Sequence, residues 1–177
     1  MSKYQQLKET LHRMSRKHGW GCILVTPEQF KNFLLQYKPR KHLDVGCHNM
    51  LLEGFIRKHV ANCEYVGLDI VIYKRKIHVI ASGCRLPFRD KSIDTISFIE
   101  TLEHIPNYVR ALREAKRVAR KAVFIQSVVC NDPCALADET HYHVLHPRTL
   151  ARLMSFIGFK NIKYGIKVAT FWLQAES

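Results

Sequence analysis

At 177 residues the chain has room for one domain with a substantial core and not for two. Lys and Arg number 28 against 15 Asp and Glu, a net charge of +13 with pI near 9.7, which points to polyanions, anionic membrane surfaces or acidic substrates, or else to a merely solvated basic surface. No run approaches the roughly 20 apolar residues of a membrane span, MSKYQQLKETLHRMSRKHGWG lacks the apolar stretch of a signal peptide, and the six cysteines (Cys22, Cys47, Cys63, Cys84, Cys130, Cys134) are scattered like reduced thiols, so a soluble cytoplasmic protein is expected.

Residues 3–17 have helical periodicity, with Tyr4, Leu7, Leu11 and Met14 on one side, and Gly19-Trp20-Gly21 interrupts it. A second helix is predicted after Thr26, a candidate N-cap, with Pro27 in its first turn. It carries Phe30, Phe33, Leu34 and Tyr37 and must end near Lys38-Pro39. These helices make residues 1–40 a lead-in to a main domain at 41–177. There HLDVG reads as a short buried strand, MLLEGFIRKHV as a helix with Leu51, Leu52, Phe55 and Ile56 on one face, and CEYVGLDIV as a strand ending at Asp69. KIHVIA and SIDTISFI are the third and fourth strands, PNYVRALREAKRVAR a helix, KAVFIQSVV the fifth strand, and HPRTLARLMSFIGF a helix closed by Gly158. The tail FKNIKYGIKVATFWLQA has two alternating runs around Gly165, the pattern of an antiparallel hairpin. Strands alternating with helices predict an α/β fold: a mostly parallel seven-stranded sheet, helices on both faces, and the hairpin at one edge. The IVIYKR connection after Asp69 is too short for a crossover helix, so one helix of the usual set is missing.

In such sheets ligands sit beyond the carboxyl ends of the strands. Those ends present Asp44-Val45-Gly46-Cys47, Asp69, Ser82-Gly83-Cys84-Arg85 and Glu100. Gly46 permits a tight turn, and the following helix offers amide groups. Asp69 follows it at about the 20-residue offset of an acid that takes ribose hydroxyls. The alternative for Asp69 is a strand-end carboxylate facing water.

LDVGC, VGLDI, CRLPFRDKSIDTISFIETLEHIPN and ALREAKRVARKAVFI together resemble class I S-adenosylmethionine-dependent methyltransferases, the small type 11 group in particular. HYHVLHPRTLARLMSFIGFKNI is similar to the family's last helix, ending in Gly-Phe before the final hairpin, and the resemblance covers residues 41–175. It implies a Rossmann-like methyltransferase fold and methyl transfer from S-adenosylmethionine. Asp44, Gly46 and Cys47 would line the methionine end, with His48 in the loop. Asp69 would bind the ribose, the Cys84 and Arg85 backbone with Leu86 would flank the adenine, and Glu100 and Thr101 would lie near the sulfonium and acceptor. Glu100, His104 and His141 are the candidate catalytic residues, the two histidines as neutral bases or, alternatively, as locally packed side chains. The acceptor is unidentified, and the charge favours nucleic acid or another anionic molecule.

The family's loop is Asp-x-Gly-x-Gly-x-Gly, and here only Gly46 matches, with His48 and Met50 at the later glycine positions. Asn49 tolerates positive φ better than most residues and offers a rerouted turn. Ser82 stands where the family often has an acid. The competing reading is a non-catalytic methyltransferase-fold module that has lost the cofactor and serves as a binding or partner subunit.

Cys130, Cys134, His141, His143 and His146 are zinc-ligand types, but such spacings arise by chance among ten His and six Cys, and no metal site is expected. NDPC resembles the Asn-Pro-Pro-aromatic motif of amino-methylating enzymes but does not follow the fourth strand, and it is discounted. After Pro106, the residues Arg110, Arg113, Lys116, Arg117, Arg120 and Lys121 are expected on one helix face, opposite Leu112, Ala115, Val118 and Ala119. That face is either a solvated exterior or a track for phosphates. Lys74, Arg75, Lys76, Arg13, Arg16 and Lys17 add charge, and Trp20, Tyr37, Tyr73 and Tyr108 are candidate stacking rings.

Overall fold

The computed structural model describes residues 26–71, 78–129, 138–167 and 169–177. The helix expected at 3–17, the basic residues of segment 74–76, Trp20, Tyr73 and the Cys130/Cys134 segment lie outside them. The described elements are α1 (Pro27–Tyr37), β1 (Lys41–Val45), α2 (Leu51–His59), β2 (Glu64–Asp69), β3 (Val79–Ile80), β4 (Ile93–Ile99), a 3₁₀ turn (Leu102–His104), α3 (Tyr108–Val118), β5 (Ala119–Val128), α4 (Pro147–Ile157), β6 (Lys160–Lys167) and β7 (Thr170–Glu176).

The seven strands form one sheet in the order β3-β2-β1-β4-β5-β7-β6. Strands β1 to β5 run parallel, and β7 lies antiparallel to both β5 and β6, as the alternation and the tail predict. Every residue of β4 is buried because both faces are covered. On one face Leu43, Val45, Ile96, Phe98, Val123 and Ile125 pack under Leu112 and Ala115 of α3 and Leu150 and Met154 of α4. On the other, Phe30, Phe33 and Leu34 of α1 and Leu52 and Ile56 of α2 cover Tyr65 and Phe124. Among the described residues no helix is long and apolar enough to cross a membrane.

Three local features differ from expectation. Thr26 precedes α1 but does not cap it: its amide and hydroxyl both donate to Gln126 Oε1 on β5, at 2.9 and 2.8 Å. The helix expected over 106–120 stops at Val118, and Arg120 and Lys121 belong to β5. Lys91 enforces the stop, its Nζ donating to the carbonyls of Lys116 and Ala119 at 3.0 Å each. Gly165 is not the hairpin turn; it lies within β6 opposite Trp172, where a Cβ would sit 2.8 Å from the indole Nε1.

The expected basic face is therefore divided. Arg117 donates to Glu114, Asp90 and the carbonyls of Leu86 and Phe88. Arg120 pairs with the buried Asp94, whose other oxygen takes the Arg40 amide at 2.7 Å, and Lys121 reaches the Tyr37 carbonyl at 2.9 Å. Lys116 lies over the Phe159 ring, while Arg110 and Arg113 are exposed. The connection from β2 to β3 runs partly through residues outside the described set; the chain returns at His78, and Leu68 pairs with Val79.

Candidate active site

The strand order reverses at β1, which pairs with β2 on one side and β4 on the other, so the loops after β1 and β4 flank the crevice where α/β sheets hold ligands. Gly46 turns the chain out of β1 at φ +77°, and its amide and that of Cys47 donate to Leu68 O at 2.8 and 3.1 Å. A Cβ at Gly46 would fall inside Thr101, 2.9 Å from its Cβ and nearer still to Cγ2 and Oγ1. The β1 and β4 loops thus touch through a position that only glycine fits.

Beyond Gly46 the left-handed backbone that glycines ordinarily supply is adopted by other residues. His48 has φ +45° and Met50 φ +61°; the turn is not rerouted through Asn49. Met50 is buried and packs with Cys47 over β2, where a Cβ on Gly67 would be 3.0 Å from Cys47 Sγ and 3.3 Å from Met50 Cγ. The side chains that replace glycine are absorbed at least in part by the α1/α2 side of the core.

Asp44 lies beneath this loop, 1% exposed, with Tyr65 OH donating to Oδ2 at 2.8 Å and Ser97 Oγ donating to Oδ1 at 2.9 Å. Burial raises its carboxyl to about 6 despite these bonds. Asp69 closes β2; Oδ2 accepts the His48 amide and Oδ1 the Val71 amide, both at 3.0 Å, and burial raises its pKa. The Ile70 amide bonds the same carboxylate, so three backbone donors already hold Asp69 at the strand end where a ribose-binding acid would stand. Further along, Cys84 N donates to Ser82 Oγ at 3.2 Å, Arg85 N to Ser82 O at 2.9 Å, and Leu86 N to Glu114 Oε2 at 2.8 Å. Leu86 is buried and Arg85 exposed, so this segment has an apolar wall at its base and a cation outside.

At the end of β4, Glu100 takes φ +47°. Gln126 Nε2 donates to its Oε1 at 2.8 Å, while the same side chain's Oε1 receives Thr26, which ties the start of α1 to Glu100. Glu103, in the 3₁₀ turn, is fully buried. Burial raises the pKa of both carboxyls, and the charge of Glu103 raises Glu100 further. Burial lowers His104, which favours the neutral imidazole. His104 and His141 stand with ring centroids 4.7 Å apart, His141 brought in by the loop that precedes α4.

The structure gathers most of the expected site residues at the carboxyl ends of β1, β2 and β4: Asp44, Gly46, Cys47, His48 and Asp69 on one side, Glu100, Thr101 and His104 on the other, with His141 beside His104. It separates the histidines once grouped as zinc-ligand types. His143 donates to Pro106 O and packs on Tyr108, and His146 Nδ1 accepts the Arg148 amide at the start of α4. Sequence reasoning passed over Gln126, Glu103, Asp138 and Thr140. A polar residue at a central position of a strand is the signal the sequence holds for Gln126; Glu103 carries none beyond its place in the Leu-Glu-His run.

Residues 25–164 match the sequence model of a family described as a methyltransferase domain. An uncharacterized protein of Methanocaldococcus jannaschii is 27% identical over 146 residues, 79% of this chain and 60% of its own length. An uncharacterized methyltransferase of Schizosaccharomyces pombe is 26% identical over 134 residues, 63% of this chain and 47% of its own, so the chain spans about half to three fifths of these relatives. Among solved structures, a SAM-dependent methyltransferase from Archaeoglobus fulgidus superposes with TM-score 0.76 at 16% identity, over 94% of this chain and 99% of that one. The strand order, the glycine turn and the family match agree: the chain belongs to the methyltransferase-domain family.

Proposed function

We propose that the chain transfers a methyl group from S-adenosylmethionine to an anionic acceptor. The observation that carries this reading is the pairing of the Gly46 turn with Asp69, a carboxylate at the adjacent strand end held in place by backbone amides. When bound, the cofactor supplies a methyl group on a sulfonium, an already activated leaving group. What remains for the chain is positioning. Asp69 holds the ribose, Leu86 supports the adenine, and Gly46 lets the β1 loop pass close to Thr101. Glu100, fixed by Gln126, lines the acceptor side. The net charge of +13, with exposed Arg85, Arg89, Arg110 and Arg113, supports an anionic acceptor, nucleic acid included.

The His48 amide bond to Asp69 supports a second reading, a non-catalytic module whose loop has closed over its own acid. Calorimetry decides between them. Titration with S-adenosylhomocysteine should give saturable heat that Asp69→Ala abolishes; no heat at about millimolar ligand selects the module. Retention on heparin or RNA should fall steeply with salt, and salt-independent retention removes the anionic acceptor.

A further inference from the structure

Apart from the residues assigned to the cofactor, Glu103, His104 and His141 each place one ligand-type atom within 4.8 Å of the others. Two segments distant in sequence supply them, the 3₁₀ turn after β4 and the loop before α4. Backbone bonds pin these segments together, Tyr142 N and His143 N donating to Glu103 O at 2.9 and 3.3 Å. The cluster therefore has a fixed frame.

Two further observations point to a cation. Glu103 is 0% exposed, and neither carboxylate oxygen makes a hydrogen bond of good geometry, although its own amide, Glu100 and Ser127 stand close enough to interact with it. A buried carboxylate without well-placed donors is costly, and a bound cation removes that cost. The second is the orientation of His104. Thr140 Oγ1 donates to Asp138 Oδ1 at 2.6 Å, so at 2.9 Å from His104 Nδ1 it accepts. The Thr140 carbonyl, at 3.2 Å, receives from the same nitrogen. His104 Nδ1 therefore bears the proton, and Nε2 carries the lone pair. Asp138 Oδ2 also stands 3.7 Å from His141 Nε2, so one buried acid lies beside His141 and supports His104 through Thr140. Metal-bound histidines have this kind of outer support.

We propose that Glu103, His104 and His141 bind a divalent first-row transition ion, Mn²⁺, Fe²⁺, Co²⁺ or Zn²⁺, through one carboxylate and two imidazoles. Two nitrogen donors select these ions over Mg²⁺ and Ca²⁺, which prefer oxygen throughout, and three protein ligands leave positions open. On the methyl-transfer reading, on which this step rests, an open position takes an acceptor oxygen and lowers its pKa, with Glu100 alongside.

The test uses the whole chain, stripped with a chelator and titrated with MnCl₂ alone while free Mn²⁺ is followed by electron paramagnetic resonance. One ion per chain is expected, and Glu103→Gln and His141→Gln should each weaken it at least about tenfold; Thr140→Val, which removes no ligand, should also weaken it. Circular dichroism checks that each variant is folded, and because Thr140→Val spares the ligands, it keeps the test decisive where Glu103→Gln fails to fold. CoCl₂ should give visible d–d bands without a thiolate charge-transfer band. No bound Mn²⁺, unchanged affinity in the folded variants, or a thiolate band placing the ion on cysteine would each overturn the site. S-adenosylhomocysteine calorimetry on the same protein separates the two proposals. Mn²⁺ bound without the nucleoside supports the ion site and defeats methyl transfer; the nucleoside bound without Mn²⁺ defeats the ion site alone.

Discussion

The backbone amide of His48 donates to Asp69 Oδ2 at 3.0 Å, which fastens the loop after β1 to the acid at the end of β2. It does so with His48 and Met50 both at positive φ, a conformation that costs a non-glycine residue about 1–2 kcal/mol. The two positions should respond oppositely to glycine. His48→Gly keeps the amide and relieves the backbone, with stability held or raised by about 1 kcal/mol after the entropy that glycine adds to the unfolded chain. Met50→Gly relieves the same strain but deletes a buried side chain over Gly67, a loss of about 2–4 kcal/mol. Urea denaturation of both variants checks the contrast; equal losses would show that backbone strain does not distinguish them.

Gly46→Ala should be among the most damaging small substitutions in the chain. The new methyl meets Thr101 and must also adopt φ +77°, together about 3 kcal/mol or more. Thr101→Ala removes the two nearest atoms and leaves its own Cβ at 2.9 Å, so the double variant should recover only part of the loss. A double-mutant cycle measures that recovery. Strict additivity would mean that the two loops do not press on each other.

The strands and their mostly parallel character were legible because short apolar runs alternating with helical periods are a local signal, as in SIDTISFI, and so was the end of α4 at Gly158, whose φ of +101° suits glycine. What escaped depends on partners far along the chain. Nothing within 106–120 announces that the helix stops at Val118, because the stop is made by Lys91. Gly165 has the look of a turn residue, and only Trp172 across the hairpin explains it. At the site, the turn at Gly46 and the place of Asp69 at the end of β2 were readable from the sequence. The meeting of Glu103 and His104 with the loop carrying Thr140 and His141 was not, since it joins positions 36 residues apart. The glycine loop misled in a different way: His48 and Met50 hold the backbone that the missing glycines would have held, at a conformational cost that composition cannot display.

The last prediction concerns His42, fully buried on β1 behind Asp44. Ser97 commits its hydroxyl hydrogen to Asp44 Oδ1, so it accepts from His42 Nε2–H at 2.9 Å, and Nδ1 accepts from Thr95 Oγ1 at 2.8 Å. The neutral tautomer is thereby fixed, and burial drives the pKa from 6.5 down to about 3. Between those values the unfolded chain binds the proton and the folded one does not, so stability falls as pH falls from about 6.5 toward 3. The slope approaches about 1.4 kcal/mol per pH unit. Asp44 acts in the opposite direction: with its pKa raised from 3.8 to about 6, the folded state holds the proton across that window, so acidification there adds stability. The two offset each other between about pH 4 and 6 and leave the wild-type profile shallower there than either group alone would make it. His42→Asn removes only the first, so the wild type should lose stability relative to the variant as pH drops. That relative loss reaches about 3 kcal/mol some two units below 6.5, whatever the variant costs at neutral pH. Thermal or urea unfolding of both proteins across pH 4–7 gives this difference directly, with titrations common to the two cancelling. A difference that stays constant over that range would show that His42 takes up its proton in the fold as readily as in the unfolded chain, and that the Ser97–Asp44 arrangement does not hold it neutral.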